Sequence, residues 1–174
     1  PEEHANRLVL KMDPGSAFGT GSHPTTRLCL EALEEMPPHD QRVADLGCGS
    51  GVLGLASLAL GASEVLAADT DSLAVRATTD NAALNGLKAE QLRVGHGSID
   101  TLATLLNGEE ADFLLCNILA PVIEALAPQF ASVLKSTGRG LLSGLLVDQA
   151  PRLIEVLAEY GWQARPIGEQ GRWD

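Results

Sequence analysis

The run Asp45-Leu46-Gly47-Cys48-Gly49-Ser50-Gly51 sets three glycines at alternate positions directly behind a short apolar stretch. Glycine at a strand-to-helix turn lets the backbone pass close to a ligand, and the helix that follows presents unpaired N–H groups. Two ligand classes use such a turn. Gly49-Ser50-Gly51-Val52-Leu53-Gly54 fits the dinucleotide pattern G-x-G-x-x-G, whereas an acid followed by G-x-G-x-G begins at Asp45 and starts its glycines at Gly47. A turn serving only tight packing is the third reading. After the next apolar run comes Ala68-Asp69-Thr70-Asp71. A carboxylate there, one crossover away, can accept both hydrogen bonds of a ribose diol. Asp69 is the better placed, while Asp71 suits a helix entry with Ser72.

Further along, Cys116-Asn117-Ile118-Leu119-Ala120-Pro121 brings an amide to the end of another apolar run. Asn117 offers a carbonyl and an NH₂ where the reactive end of a cofactor would lie, or else an ordinary helix cap. Gly97 and Ser98, in the run GHGSID, are candidates to meet an adenine edge, and His96 reads as a surface residue. Ahead of all these lies Asp13-Pro14-Gly15-Ser16-Ala17-Phe18-Gly19-Thr20-Gly21-Ser22-His23-Pro24-Thr25-Thr26. It contains no lysine and no P-loop pattern. Its end looks like a helix start, with Ser22 or Thr25 as cap and Pro24 in the first turn; His23 reads as helix-end structure.

These residues need elements to hold them. Apolar runs at Arg42–Leu46, Glu64–Ala68, Gln91–Val94, Asp112–Cys116 and Arg139–Ser143 predict strands. Three- and four-residue spacings predict helices over Arg27–Met36, Ser72–Asn85, Leu119–Leu134 and about Asp148–Tyr160, with a helix-like segment after the glycine run. Alternation at this spacing means right-handed crossovers and a doubly wound, mostly parallel sheet with helices on both faces. Ligands in such sheets bind beyond the carboxyl ends of the strands, where every candidate above falls.

Composition sets the outer bounds. A chain of 174 residues, 45% hydrophobic, fits one globular domain over 1–174. Its net charge of −11 opposes a surface built to collect phosphate backbones and suits a basic partner better than nucleic acid. Cys29, Cys48 and Cys116 are odd in number and scattered, as in a reducing, cytoplasmic setting, and lack metal-like spacing. The most apolar run, Val52–Ala68, is interrupted by Gly54, Ser57, Gly61, Ser63 and Glu64, so no membrane span is expected.

DLGCGSG resembles the first motif of the Rossmann-like class I methyltransferases that use S-adenosylmethionine. Taken in order, DPGSAFGTGSHPTT, DLGCGSG, AADTD and NILAP resemble the PrmA family, which methylates large-subunit ribosomal protein eleven. The likeness runs from about Lys11 to Trp173, and the first and last motifs are its specific part. It implies an S-adenosyl-L-methionine site in which Thr26, Gly47, Asp69 and Asn117 match binding positions. Gly49 belongs to the same glycine motif, and Phe18, Gly19, Thr20 and Gly21 correspond to a loop that closes over the cofactor. It also implies methylation of lysine side chains and of the terminal α-amine, with a basic ribosomal protein as partner. Family members carry an N-terminal recognition domain, and none is expected within this chain. Gly168–Asp174 reads as the start of a final strand that stops short. The rival readings are a methyltransferase for another lysine or small amine, a nicotinamide-dependent oxidoreductase, and a noncatalytic module that binds S-adenosylmethionine.

Overall fold

A computed structural model describes residues 7–15 and 21–173. Among the described residues, five strands form one sheet in the order β3-β2-β1-β4-β5, with every pair parallel. They are β1 (Arg42–Leu46), β2 (Glu64–Asp69), β3 (Leu92–His96), β4 (Ala111–Asn117) and β5 (Leu134–Ser143). The chain winds outward from β1 through β2 to β3, then returns to place β4 on the other side of β1. The strand order therefore reverses between β1 and β4, the usual ligand crevice of an open α/β sheet.

Among the described residues, six α-helices cover the sheet: α1 (Pro24–Glu35), α2 (Val52–Ala59), α3 (Ser72–Leu84), α4 (Ile99–Leu106), α5 (Ala120–Leu126) and α6 (Ala150–Glu159). Alternation along the strands sends one set of side chains to each face, so each face builds its own core. Val43, Val65, Ala67, Phe113, Leu115 and Leu141 meet α1 and α2, while Ala44, Leu46, Leu66, Ala68 and Leu114 meet α4, α5 and α6. Burial on both faces explains why the strands read as continuous apolar runs.

Four expectations are corrected. The helix read over Leu119–Leu134 stops at Leu126, continues as a 3₁₀ segment over Ala127–Ser132, and gives way to β5 at Leu134. Pro128 is the physical cause, since its ring opposes the carbonyl four residues back and supplies no N–H. β5 is longer than its apolar half, and its register against β4 shifts between Ala111 and Phe113, so Lys135–Gly138 carry no ladder of their own. The α1 cap is His23, whose ring accepts from Thr25 N–H at 3.3 Å, in place of Ser22 or Thr25. Pro24 at the first helical position keeps His23 extended and puts its side chain at the cap. Where a final strand was expected, the described residues form isolated antiparallel bridges pairing Trp173 with Leu146 and Gln170. The helix α4 was not foreseen, although Ile99, Leu102 and Leu106 make its buried stripe.

Charges gather at the amino ends of the strands, away from the crevice. Arg42 bridges Glu64 and Glu109, Arg93 reaches Glu64 at 3.2 Å, and Lys135 meets Asp112 at 2.7 Å. These part-exposed pairs are each worth roughly 0.2–1 kcal/mol and tie neighbouring strands together. No helix among the described residues is long and apolar enough to cross a membrane.

Candidate active site

The carboxyl edge of the sheet assembles residues that are far apart in sequence. β1 ends at Leu46 and enters a tight turn in which Gly47, Gly49 and Gly51 all have positive φ. Gly47 shows why the turn needs glycine: its φ is 73°, and a Cβ there would run into Ile118 Cγ2 from the neighbouring loop. Gly47 and Cys48 N–H both donate to the Ala68 carbonyl, at 2.8 and 3.1 Å, which draws the turn toward the end of β2. Gly54 lies inside α2, where its missing side chain allows close packing on Val65 and Asp45.

Asp69 closes β2, and its two carboxylate oxygens are oriented by backbone. Oδ2 accepts from Gly49 N–H and Oδ1 from Asp71 N–H, each at 2.9 Å. Each oxygen keeps lone-pair capacity for a further donor. Asp71 is the α3 cap, accepting from Leu73 N–H at 2.8 Å, as its sequence position suggested. The two aspartates therefore divide the work, one facing the crevice and one starting the helix.

Across the reversal point, Asn117 ends β4 and its Nδ2 donates to Thr26 Oγ1 at 3.4 Å. Thr26 is buried in the first turn of α1, so the helix that follows the opening stretch is pinned to the edge of β4. The pairing leaves Asn117 Oδ1 as the amide's acceptor face. Gly21 is half-buried with φ 94°. Phe18, Gly19 and Thr20 lie outside the described residues. Ser98 starts α4 without making a side-chain cap, and its N–H donates to Asp100 at 3.3 Å. His96 is exposed, its Nε2 at 2.9 Å from the Thr70 carbonyl, a brace between the β2 and β3 loops. Gly97 N–H donates to the Asp69 carbonyl at 2.9 Å, which brings the GHGSID loop beside the same carboxylate.

One set of supporting residues escaped the sequence reading. Thr78 and Asn81 on α3 are fully buried: Thr78 Oγ1 donates to the Gly49 carbonyl at 3.0 Å, and Asn81 Nδ2 to the Ser50 carbonyl at 2.9 Å. Polar residues on a helix read as a solvent face, and only their three-residue spacing hinted otherwise. Asp45, the acid that opens the glycine pattern, is fully buried. Burial pushes its carboxyl up to about 7 against the bond from Gly54 N–H, with Asp69 adding a smaller upward push, and its Oδ2 has no hydrogen-bond partner. Burial also raises all three thiols, Cys29 to about 12, and Asp45 adds to the rise in each. Cysteines scattered along the chain thus surround one acid in space. Among the described residues no His, Cys, Asp and Glu cluster is placed to hold a metal ion.

Comparison with known proteins agrees with this architecture. The chain is 68% identical over 173 residues to a ribosomal protein L11 methyltransferase of Parasynechococcus marenigrum, covering 99% of this chain and 60% of that protein. It is 47% identical to the namesake from Thermosynechococcus vestitus, covering 96% of this chain and 56% of that protein. The chain thus spans a little over half the length of these curated relatives. The crystal structure of a ribosomal protein L11 methylase from Lactobacillus delbrueckii superposes with a TM-score of 0.83 at 35% identity, over 95% of this chain and 82% of that one. A 16S rRNA methyltransferase of T. thermophilus shares the fold alone, with a TM-score of 0.67 at 23% identity, over 88% of this chain and 45% of that one. The sheet is the Rossmann-like class I methyltransferase fold. A family profile described as "Ribosomal protein L11 methyltransferase (PrmA)" matches residues 1–174, and the chain belongs to that family.

Proposed function

We propose that this domain transfers methyl groups from S-adenosyl-L-methionine to amine nitrogens, lysine side chains and the α-amine, of ribosomal protein L11. The observation that carries it is the facing of two devices across one crevice: Asp69 locked onto the glycine turn, and Asn117 locked onto Thr26. The donor set fits an S-adenosyl ligand. A carboxylate with spare lone pairs suits a ribose diol, and the glycine turn, drawn to the end of β2 by the Ala68 carbonyl, sets its backbone beside that carboxylate where an extended nucleoside would lie. Gly97 and Ser98 stand beside Asp69, on the side where an adenine edge would fall. Gly21 and Thr26, with Phe18, Gly19 and Thr20, would flank the amino-acid end of the ligand.

When bound, S-adenosylmethionine supplies a methyl group on a positively charged sulfur, open to in-line displacement. The chain's own contribution is alignment and exclusion of water. A lysine amine is about 99.9% protonated near neutral pH, which costs roughly 4 kcal/mol, so the site must favour the neutral amine. Asn117 Oδ1 accepts one amine hydrogen and leaves the nitrogen lone pair free to face the methyl. The acidic chain suits a lysine-bearing acceptor and steers it at low salt. A ribosomal acceptor places the reaction in the cytoplasm.

Calorimetric titration with S-adenosylhomocysteine and with NAD tests the cofactor: saturable binding of the first and none of the second is expected, and the reverse result would restore the oxidoreductase reading. Mass spectrometry of L11 incubated with enzyme and labelled donor tests the acceptor, and cofactor binding without any methyl incorporation would leave only a binding module. Asn117→Ala is expected to lower turnover at saturating donor about a hundredfold, the size of losing one positioned polar group, and to weaken S-adenosylhomocysteine binding as well, because the same amide holds Thr26. Full turnover in that variant would remove Asn117 from the chemistry.

A further inference from the structure

The buried face of α3 does more than pack. Thr78 and Asn81 are buried on it, and half-buried Asn85, the cap just past its last residue, continues their three- and four-residue spacing, so the three form one stripe along the helix. Such a stripe is ordinarily apolar, because an unpaired buried amide costs about 1–3 kcal/mol. Here each polar group is spent on backbone. Thr78 and Asn81 hold the Gly49 and Ser50 carbonyls of the glycine turn from behind.

The same stripe grips the chain ahead of the opening stretch. Asn81 Oδ1 accepts from Asp13 N–H at 2.9 Å. Asn85 Oδ1 accepts from Lys11 N–H at 2.9 Å, and its Nδ2 donates to the Lys11 carbonyl at 2.7 Å. The spacing fits: two residues of extended chain span about 6.7 Å, and four residues of helix rise about 6.0 Å. Lys11 and Asp13 therefore dock on Asn85 and Asn81 like a strand on a two-rung ladder. Further along the chain, Thr26 is fastened to Asn117 across the reversal point.

We infer that Asn81 and Asn85 are positioning residues that set the Lys11–Asp13 segment and the glycine turn in one fixed relation, so that affinity for the S-adenosyl ligand depends on a helix face the ligand never touches. The inference rests on the proposed cofactor reading. Coupling of this kind is reciprocal: ligand must also protect the ladder it depends on.

Four proteins test it: the native chain, Asn85→Ala, which removes the Lys11 clamp and keeps the bond from Asn81 to Ser50, Lys11→Pro, which deletes one donor without touching α3, and Asn85→Asp as a partial rescue. Calorimetry with S-adenosylhomocysteine is run beside amide exchange of Lys11 and Asp13, read by NMR with and without ligand. Asn85→Ala and Lys11→Pro are both expected to bind roughly tenfold more weakly, a typical coupling, with melting temperatures within a few degrees of the native chain. Ligand should slow Lys11 and Asp13 exchange in the native chain, and the slowing at Asp13 should be lost in both variants. Asn85→Asp, which keeps the acceptor for Lys11 N–H, should recover part of the affinity. Native-like affinity in Asn85→Ala and Lys11→Pro overturns the coupling and leaves the cofactor reading standing. No binding by the native chain overturns both.

Discussion

Asp69→Ala is expected to weaken S-adenosylhomocysteine binding by at least about a hundredfold. Two hydroxyls bonding to an ionised carboxylate contribute roughly 1.5–3 kcal/mol each, so losing both removes about 3–6 kcal/mol. The loss has a second source in the free protein, because Asp69 also holds Gly49 N–H and Asp71 N–H. Without the carboxylate the glycine turn loses the bond that sets its reach from β2, and part of the binding energy is then spent on ordering it. Asp69→Asn separates the two contributions: it keeps one carbonyl acceptor but loses the charge, and its affinity should fall between native and Ala. Calorimetric titration of the three proteins is the measurement. An Asp69→Ala chain that binds within threefold of native would take Asp69 out of the site.

Stability is expected to decline as pH rises from about 4 to about 7, and Asp45 is the cause. Its carboxyl sits at about 7 in the fold, raised first by burial, against an ordinary value of 3.8. Between those values the folded state holds a proton that the unfolded chain has released. The folded state binds more protons there, so stability falls with each step upward in pH and levels off above about 7. Three pH units correspond to about 4 kcal/mol at most. Asp112 works in the opposite sense, since the bond from Lys135 lowers its carboxyl and that stability is lost only as pH falls below the usual carboxylate range. Urea midpoints from pH 4.5 to 8.5 should drop in the native chain and run nearly level in Asp45→Asn, which keeps an acceptor for Gly54 N–H and cannot ionise. Parallel slopes in the two proteins would mean that Asp45 ionises freely.

How far the sequence could carry the reading varied with the physics involved. β1 and β2 were legible almost to the residue, because strands buried on both faces write short, mainly apolar runs, broken in β1 only by Asp45. The helix start near Thr26 was legible, but its cap was not: a histidine accepting from an N–H two residues on is a three-dimensional fact that Pro24 imposes. Leu134 was misplaced because Val133 and Leu134 continue the spacing of the preceding helix, and only Pro128 signals the break. Asp69 and the glycine turn were visible as types in order. Their mutual bond was not, nor was the partnership of Thr26 with Asn117, since 91 residues separate them. Asn81 and Asn85 stayed hidden for a related reason. Their partners are backbone groups in other segments, and backbone leaves no letter in a sequence.

The three thiols have a practical consequence. Cys29 lies on α1, Cys48 in the glycine turn and Cys116 on β4, all buried and all held in the unreactive protonated form. A thiol in that state meets an alkylating reagent only when its own surroundings open. The native protein thus carries three clocks, one beside the opening stretch, one in the ligand turn and one in the centre of the sheet. Their separate rates under a single reagent time the loosening of each part without any added probe.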